Sequence, residues 1–322
     1  MKYTDPLEVR IIQVLGHPDD AGVDISAMLT SNQVRQVFNG KIVKECKRIP
    51  TKVQKDELEN RKDLRNLLTV TIDGDDAKDF DDAISIVKNE KGYLLYVHIA
   101  DVSHYVKENS ALDQEAYLRG NSIYVCDRVV PMLPFDLSNG ICSLNPNVDR
   151  LTITCAMQVD ERGNLLTYNV FPSVIHSDKR CTYKKVNACL AGDETILEEY
   201  SEVKGLLFTL ESLAKLLKKQ SHNRGCIDFN TKEAKIIMDK NGYPVDVTVL
   251  ERGFAEQMIE ECMILANVCV AHHMHVNKIP SMYRVHENPD PKKVATICTV
   301  ANSLRIPFDF YPDEVNASQI QK

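Results

Sequence analysis

The sequence lacks several features that would assign it to a large class of proteins. No segment approaches the roughly 18 consecutive apolar residues of a membrane-spanning helix, and no signal peptide opens the chain. Internal repeats and low-complexity segments are missing as well. We therefore expect a cytoplasmic protein that does not associate with membranes.

The cysteines lack the spacing of a metal or redox motif. There are ten of them, and no two form a Cys-x-x-Cys pair, which argues against zinc ribbons and thioredoxin-like sites. They are scattered through apolar surroundings instead. Buried, reduced thiols are the interpretation that suits a cytoplasmic protein.

Charge is unevenly distributed along the 322 residues. The chain is 43% hydrophobic and 26% charged, as in a globular protein of one or two domains, and its net charge of −7 argues mildly against a nucleic-acid partner. However, residues 33–66 carry ten Lys or Arg against five acidic residues. A metal bound to the acidic stretch that follows would make the net charge a poor guide.

That acidic stretch reads TIDGDDAKDFDDAISIV and has six Asp among the ten positions from Asp73 to Asp82. Carboxylates packed a few ångströms apart repel one another, and burial strengthens the repulsion. The segments NLLTVTI before and AISIV after the cluster have the β-branched, apolar character of buried strands. A cluster held between two such strands indicates a site with a positive partner.

Four kinds of acid-rich segment can be compared with this stretch. A solvated acidic loop is the ordinary alternative. An EF-hand calcium loop is excluded, because Ala77 and Lys78 occupy the positions where an acid and a glycine are needed. An Asp-x-Asp-x-Thr phosphatase motif fits poorly, because Ala77 replaces the Thr. A magnesium site for phosphoryl transfer remains.

The rest of the chain predicts a mixed α and β fold around one main sheet. Residues 1–66 suggest a connector with one strand, EVRIIQVLG, and short helices. Hairpins are expected around the turns KNEKG and DERGN, and a short helix between Ser110 as N-cap and Gly120. Amphipathic helices are expected in residues 194–221 and within GFAEQMIEECMILANVCVAHHMH.

Five runs, of which the first is the acidic stretch, carry a resemblance: TIDGDDAKDFDDAI, VHIADVSHYV, RGNSIYVCDRVVPMLP, LSNGICSLNPNVDRL and MIEECMILAN. In this order they resemble the catalytic domain of the ribonuclease II / ribonuclease R (RNB) family. The run VLGHPDDAGVDI resembles the stretch after the second cold-shock domain, particularly in the ribonuclease R branch. The resemblance implies an α+β fold with a mixed β-sheet surrounded by helices. Residues 1–66 would be the end of a cold-shock (OB) region and a connector, and residues 67–322 the N-terminal part of the RNB domain.

The resemblance also implies an activity. Members of the RNB family are magnesium-dependent exoribonucleases that degrade single-stranded RNA from the 3′ end to nucleoside 5′-monophosphates. Mg²⁺ is the expected cofactor, with Mn²⁺ as a substitute, and no organic cofactor is implied. When the family's motif is matched to this sequence, its catalytic and metal-binding aspartates correspond to Asp73, Asp79, Asp81 and Asp82. Asp75 and Asp76 match variable positions.

Three further residues match RNA-binding positions of the family. Tyr124 matches a tyrosine that stacks on the last nucleotides, and base stacking tolerates any sequence. Tyr183 and Glu261 also match site positions, although Glu261 could instead face solvent. Phe229 could be a second stacking ring, but we expect it in the core. The histidines of the HHMH run could suggest a metal, but we expect a surface or capping role for them.

Some parts of the family pattern are missing from this sequence. There is no complete cold-shock domain, no S1 domain, and neither the Gly-Arg-Tyr nor the Thr-Ser-Pro-Ile-Arg-Arg-Tyr segment, whose arginines meet the scissile phosphate. We therefore expect a chain truncated at both ends. A catalytically incomplete RNA-binding fragment is the alternative function, and a metal-dependent nucleotidyl or glycosyl transferase with an Asp-x-Asp pair is a remote third.

Overall fold

The computed structural model describes residues 10–226, 233–250, 252–285, 287 and 289–306. The chain divides into two compact units. The larger, here called the sheet unit, comprises Pro50–Tyr105, Asp136–Thr231 and Arg252–Lys322. The smaller unit comprises Met1–Ile49, Val106–Phe135 and Lys232–Glu251. The boundary expected at residue 66 stays a prediction, and Phe229 lies outside the described residues.

The α-helices and strands follow one another in groups of two to five along the described residues. Within the described residues the α-helices are α1 (Val23–Ser31), α2 (Gly40–Cys46), α3 (Val102–Tyr105), α4 (Ala111–Arg119), α5 (Tyr183–Leu190), α6 (Glu194–Glu199), α7 (Lys204–Asn223), α8 (Phe254–Val276) and α9 (Pro291–Ser303). The strands are β1 (Lys62–Asp63), β2 (Val70–Asp73), β3 (Asp82–Asn89), β4 (Gly92–Ala100), β5 (Ile123–Tyr124), β6 (Val129–Val130), β7 (Asp149–Val159), β8 (Leu165–His176), β9 (Lys179–Thr182), β10 (Glu233–Met238) and β11 (Pro244–Leu250).

The sheet unit is built on a seven-stranded mixed sheet in the order β1-β8-β7-β4-β3-β2-β9. The two expected hairpins are present: β3 pairs antiparallel with β4, and β7 with β8. The two outer strands pair parallel to their neighbours, β1 with β8 and β9 with β2. The predicted α+β class, with a mixed sheet and surrounding helices, is therefore confirmed.

One face of the sheet packs against α5, α7 and α8. Strand residues such as Ile84 and Val97 share a core with Leu207 and Leu210 of α7 and with Met258 of α8. In α7 the buried positions 206, 207, 210, 213, 214 and 217 recur at helical spacing, as its sequence predicts. Each large apolar side chain buried in this way contributes about 1.5–3 kcal/mol. Within the described residues, no helix combines the length and apolar character needed to cross a lipid bilayer.

The other face of the sheet carries a buried polar network. Ser85 Oγ lies 2.7 Å from Thr69 Oγ1 and 3.0 Å from His98 Nε2. The network continues from His98 Nδ1 to Thr154 Oγ1 at 2.7 Å, and from there to Ser173 Oγ. Burial lowers the pKa of His98 to about 3, so this ring is neutral and links strands without adding charge.

The smaller unit contains α1, α2 and α4 and two short antiparallel ribbons, β5-β6 and β10-β11. α4 begins and ends as predicted, because Ser110 accepts a hydrogen bond from the backbone of Asp113 and Gly120 has φ 77°. The predicted strand EVRIIQVLG is wrong over its described part, since residues 10–16 form no strand. Ile11 and Ile12 are 81% and 91% exposed, so no neighbouring strand or core stabilises an extended segment there.

Candidate functional site

Asp73 and Asp82 lie at the ends of two neighbouring strands of the sheet unit. Asp73 is the last residue of β2 and Asp82 is the first residue of β3. These strands pair antiparallel through Val70 and Ile84, so the end of one lies beside the start of the other. Both strands are buried next to their aspartates. The acidic stretch is thus fixed at both ends by the core and is not a freely solvated loop.

The carboxylates of the four predicted site aspartates act on one another electrostatically. Burial raises the pKa of Asp82 to about 6, and the charges of Asp73 and Asp81 add to this effect. Burial and then the charge of Asp79 raise the pKa values of Asp73 and Asp81. In the ionised state these groups destabilise one another, which is the property expected of a cation site before the cation binds.

The chemistry of these donors fits a hard divalent cation. Carboxylate oxygens are the ligands that Mg²⁺ prefers, and a cation would offset both the burial and the mutual repulsion that raise the pKa values. Within the described residues, no three His, Cys, Asp or Glu side chains lie close enough together to share one metal ion. Asp73, Asp79, Asp81 and Asp82 are the residues that would hold it, and their side chains would have to converge further to do so.

A positive group lies beside the cluster, and it is Arg180 in β9. Thr71 of β2 and Arg180 are partners in the parallel pairing. Arg180 Nη2 donates to the carbonyl oxygens of Asp75 at 2.6 Å and of Gly74 at 3.3 Å. Its charge lowers the pKa of Asp73, opposing the effect of burial. The protein therefore supplies part of the positive charge that the acidic stretch requires.

Tyr183 lies near two of the aspartates, since the charges of Asp73 and Asp82 act on its phenol. It is the first residue of α5, directly after β9, and Thr182 caps this helix by accepting a hydrogen bond from the backbone of Lys185. Burial raises the pKa of Tyr183 to about 12, and the charges of Asp73 and Asp82 contribute to the rise. The phenol therefore stays protonated at neutral pH and retains a hydrogen-bond donor.

Glu261 lies at the contact between α7 and α8. Its Oε2 accepts a hydrogen bond from Ser221 Oγ at 3.1 Å, and burial raises the pKa of Glu261. The next residue, Cys262, is fully buried, and its pKa is raised by burial and by the charges of Glu261 and Asp82. Glu261 is thus held in place by α7, on a helix that also approaches the aspartates through Cys262.

Tyr124 belongs to the smaller unit and lies in the ribbon formed by β5 and β6, opposite Val129. The side chain is 66% exposed. A position in the hydrophobic core, which is the ordinary fate of a strand tyrosine, is excluded by this exposure. A ring that is open to solvent remains accessible to a base.

Other residues of the site were not identified from the sequence. Arg180 directly precedes the CTY segment that contains Tyr183, and no local pattern indicates that its guanidinium reaches Gly74 and Asp75. Ser143 donates to and accepts from the backbone of the acidic stretch across 65 and 63 residues of sequence. Both contacts depend on long-range pairing, which a local reading of the sequence does not provide.

Comparison with known proteins gives the family. A model described as RNB domain matches residues 61–321. This chain belongs to the RNB domain family. It is similar to a protein named Ribonuclease R from Thermotoga maritima, with 45% identity over 329 residues that cover 100% of this chain and 46% of the relative. The resemblance to the ribonuclease R branch of the RNB family is thus confirmed.

Solved structures agree with this assignment. Mycoplasma genitalium RNase R in complex with ribose-methylated single-stranded RNA is similar at a TM-score of 0.89 and 36% identity, covering 96% of this chain and 48% of that chain. The same enzyme in complex with double-stranded RNA gives a TM-score of 0.88 at 36% identity, and the match covers 96% of this chain and 55% of that chain. This RNB chain therefore spans about half the length of the relatives that it matches.

Proposed function

We propose that this RNB chain carries the metal site of a magnesium-dependent 3′-to-5′ exoribonuclease that degrades single-stranded RNA to nucleoside 5′-monophosphates. The observation that supports it most is the group of mutually repelling carboxylates at Asp73, Asp79, Asp81 and Asp82, between two buried strands of an RNB domain. Mn²⁺ is the proposed substitute for Mg²⁺. The cytoplasm is the proposed location, because seven of the ten cysteines are buried, as suits reduced thiols in a core.

The side chains at this site suit different tasks in hydrolysis of a phosphodiester. A bound Mg²⁺ would lower the pKa of the attacking water and stabilise the leaving 3′-oxygen. Asp82, with a pKa of about 6, is mostly ionised at neutral pH and able to serve as a ligand. Tyr183 keeps its proton and can donate a hydrogen bond to an oxygen of the RNA. Arg180 keeps a fixed positive charge beside Asp73.

RNA is the proposed partner for both units. The M. genitalium enzyme was solved with single-stranded and with double-stranded RNA, and we propose that this chain binds RNA in its single-stranded form. The exposed ring of Tyr124 would stack on a base near the 3′ end, and Glu261 would contact the RNA or a water near the aspartates.

The test compares hydrolysis of a labelled single-stranded RNA in Mg²⁺ and in EDTA, with the products identified by thin-layer chromatography. We expect nucleoside 5′-monophosphates in Mg²⁺ only. Asp81→Asn should fold normally by circular dichroism and release no product. Asp75→Asn is the matched control, since it removes an exposed carboxylate from the same stretch and should act like the unaltered chain.

Two outcomes would contradict the proposal. Cleavage by Asp81→Asn at the rate of the unaltered chain would show that the metal site is wrongly assigned. RNA binding without release of any product in Mg²⁺ would favour the alternative function, a chain that binds RNA and does not hydrolyse it.

A further inference from the structure

The side chain of Ser143 forms hydrogen bonds with the backbone of both residues that flank Asp79. Its Oγ accepts a hydrogen bond from the backbone N–H of Phe80 at 2.9 Å, and donates one to the carbonyl oxygen of Lys78 at 2.9 Å. These are the residues immediately after and immediately before Asp79. Ser143 is fully buried, so water does not compete for either bond. One hydroxyl thus fixes the backbone on both sides of one carboxylate.

Ser143 is itself held firmly by the segment around it. Its N–H donates to the carbonyl of Gly140, and its own carbonyl accepts a 2.7 Å hydrogen bond from Nε of the buried Arg150. The following residue, Leu144, donates its N–H to the carbonyl of Phe80 at 2.9 Å. The run LSNGICSLNPNVDRL therefore forms a rigid support, and Ser143 is the contact between this support and the residues that flank Asp79.

The start of the acidic stretch has a different anchor. Arg180 donates to the carbonyls of Gly74 and Asp75, and its guanidinium lies over the ring of Phe80 at 5.1 Å. The carbonyl of Asp81 accepts from the N–H of Ala100 at 2.9 Å. Asp73 and Asp82 need no such support, because they belong to strands. Asp79 is the site aspartate whose backbone depends on Ser143.

We propose that Ser143 is a positioning residue that sets the place of the Asp79 carboxylate for metal binding. This inference rests on the proposed function, in which Asp79 is a metal ligand. Ligands must be held within about 0.5 Å of the productive geometry to bind tightly, and a carboxylate on an unsupported loop loses that precision. Ser143 acts through the backbone of Asp79 and touches neither metal nor RNA.

The test measures Mn²⁺ affinity by electron paramagnetic resonance in Ser143→Ala. We expect the affinity to fall about tenfold, as is typical when a residue supporting a metal ligand is removed. Ser177→Ala is the matched control, because the Ser177 hydroxyl is equally buried in the sheet unit and has no hydrogen-bond partner among the described residues. Its Mn²⁺ affinity should be unchanged, even if its melting temperature falls as far as that of Ser143→Ala.

A double-mutant cycle separates positioning from general destabilisation. If Ser143 acts through Asp79, adding Ser143→Ala to Asp79→Asn should weaken Mn²⁺ binding less than about twofold further. An equal loss in both backgrounds would overturn the proposal. Should Ser143→Ala fail to fold, Ser143→Cys replaces it, since the thiol has nearly the same size but bonds weakly, and a loss of affinity is again required.

Failure of the positioning role differs from failure of the proposed function. Tight Mn²⁺ binding by both the unaltered chain and Ser143→Ala would overturn the role of Ser143 alone. Absence of Mn²⁺ binding by the unaltered chain would overturn both. Hydrogen exchange provides a readout without metal: the amide of Phe80 should lose protection in Ser143→Ala and keep it in Ser177→Ala.

Discussion

Arg61 donates a 2.6 Å hydrogen bond from Nη2 to Oδ2 of Asp101, and the two side chains are only 9% and 6% exposed. Ser103 donates to the other oxygen of Asp101 at 2.8 Å. His104 continues the cluster, lying 3.2 Å from Arg61 and 2.9 Å from Glu57. The aspartate of the VHIADVSHYV run is therefore a structural residue whose carboxylate is paired inside the fold with Arg61 and Ser103.

Replacing Asp101 should destabilise the sheet unit strongly. Asp101→Ala leaves the guanidinium of Arg61 buried without its counter-charge, and removing one partner of a buried pair costs about 3–5 kcal/mol. Urea denaturation measures the change. Asp63→Ala is the control, because Asp63 pairs with Arg65 but is 54% exposed, and such a pair is worth about 1 kcal/mol or less. Equal losses from both variants would contradict a special role for the buried pair.

The stability of the metal-free chain should depend on Asp82. The folded-state pKa of Asp82, about 6, lies above its ordinary value of 3.8, so the fold prefers the protonated acid. The resulting stabilisation is complete below about pH 4 and disappears as pH rises through 6. In EDTA, Asp82→Asn should therefore become more stable relative to the unaltered chain by about 1–3 kcal/mol between pH 4 and pH 7. A difference that does not change with pH would contradict the raised pKa.

Tyr124→Ala should lengthen the shortest product of RNA degradation in a hydrolysing protein that contains this chain. Stacking contributes about 1–3 kcal/mol per base and positions the RNA end, while the bond-breaking chemistry is the role proposed for the aspartates. Gel analysis of the limit products measures the effect. Tyr117→Ala is the control, since Tyr117 is also an exposed tyrosine of the smaller unit, 87% exposed. An unaltered product ladder in Tyr124→Ala would remove Tyr124 from the RNA site.

Thiol labelling should separate the ten cysteines by burial. Cys126 and Cys226 are exposed, Cys298 is intermediate, and the other seven are buried. Burial also raises the pKa of Cys181 to about 12, which suppresses its thiolate. In a titration with an aromatic disulfide at pH 8, two thiols of the native chain should react rapidly with the reagent. All ten should react rapidly in denaturant. Fast reaction of most thiols without denaturant would show that the core opens easily.

The sequence predicted well those elements whose determinants lie close together in the chain. The β3-β4 and β7-β8 hairpins follow from short turns between alternating strands, and α4 follows from Ser110 and Gly120 at its ends. The family resemblance was confirmed because its motifs are long and occur in order. The strand expected near residue 12 was wrong, since apolar composition alone supplies no partner strand.

What escaped prediction depends on pairing across long stretches of chain. From the sequence we predicted that a metal ion offsets the repulsion among the six clustered aspartates. The structure adds Arg180, which reaches the stretch because β9 pairs parallel to β2. It also adds Ser143, a residue without charge. Tertiary structure alone brings its hydroxyl to the backbone of Phe80. Neither contact has a signature in spacing or composition.

Because β9 pairs parallel to β2, residues that lie together in the fold are synthesised by the ribosome at different times. The acidic stretch ends at Asp82, and Arg180 follows about 100 residues later. At about 5–20 residues per second, that interval takes about 5–20 seconds of synthesis. During it the aspartates are present without their arginine anchor and without the strand that leads into Tyr183. A nascent chain beside its own messenger RNA thus carries the carboxylates well before it can hold them in their final arrangement.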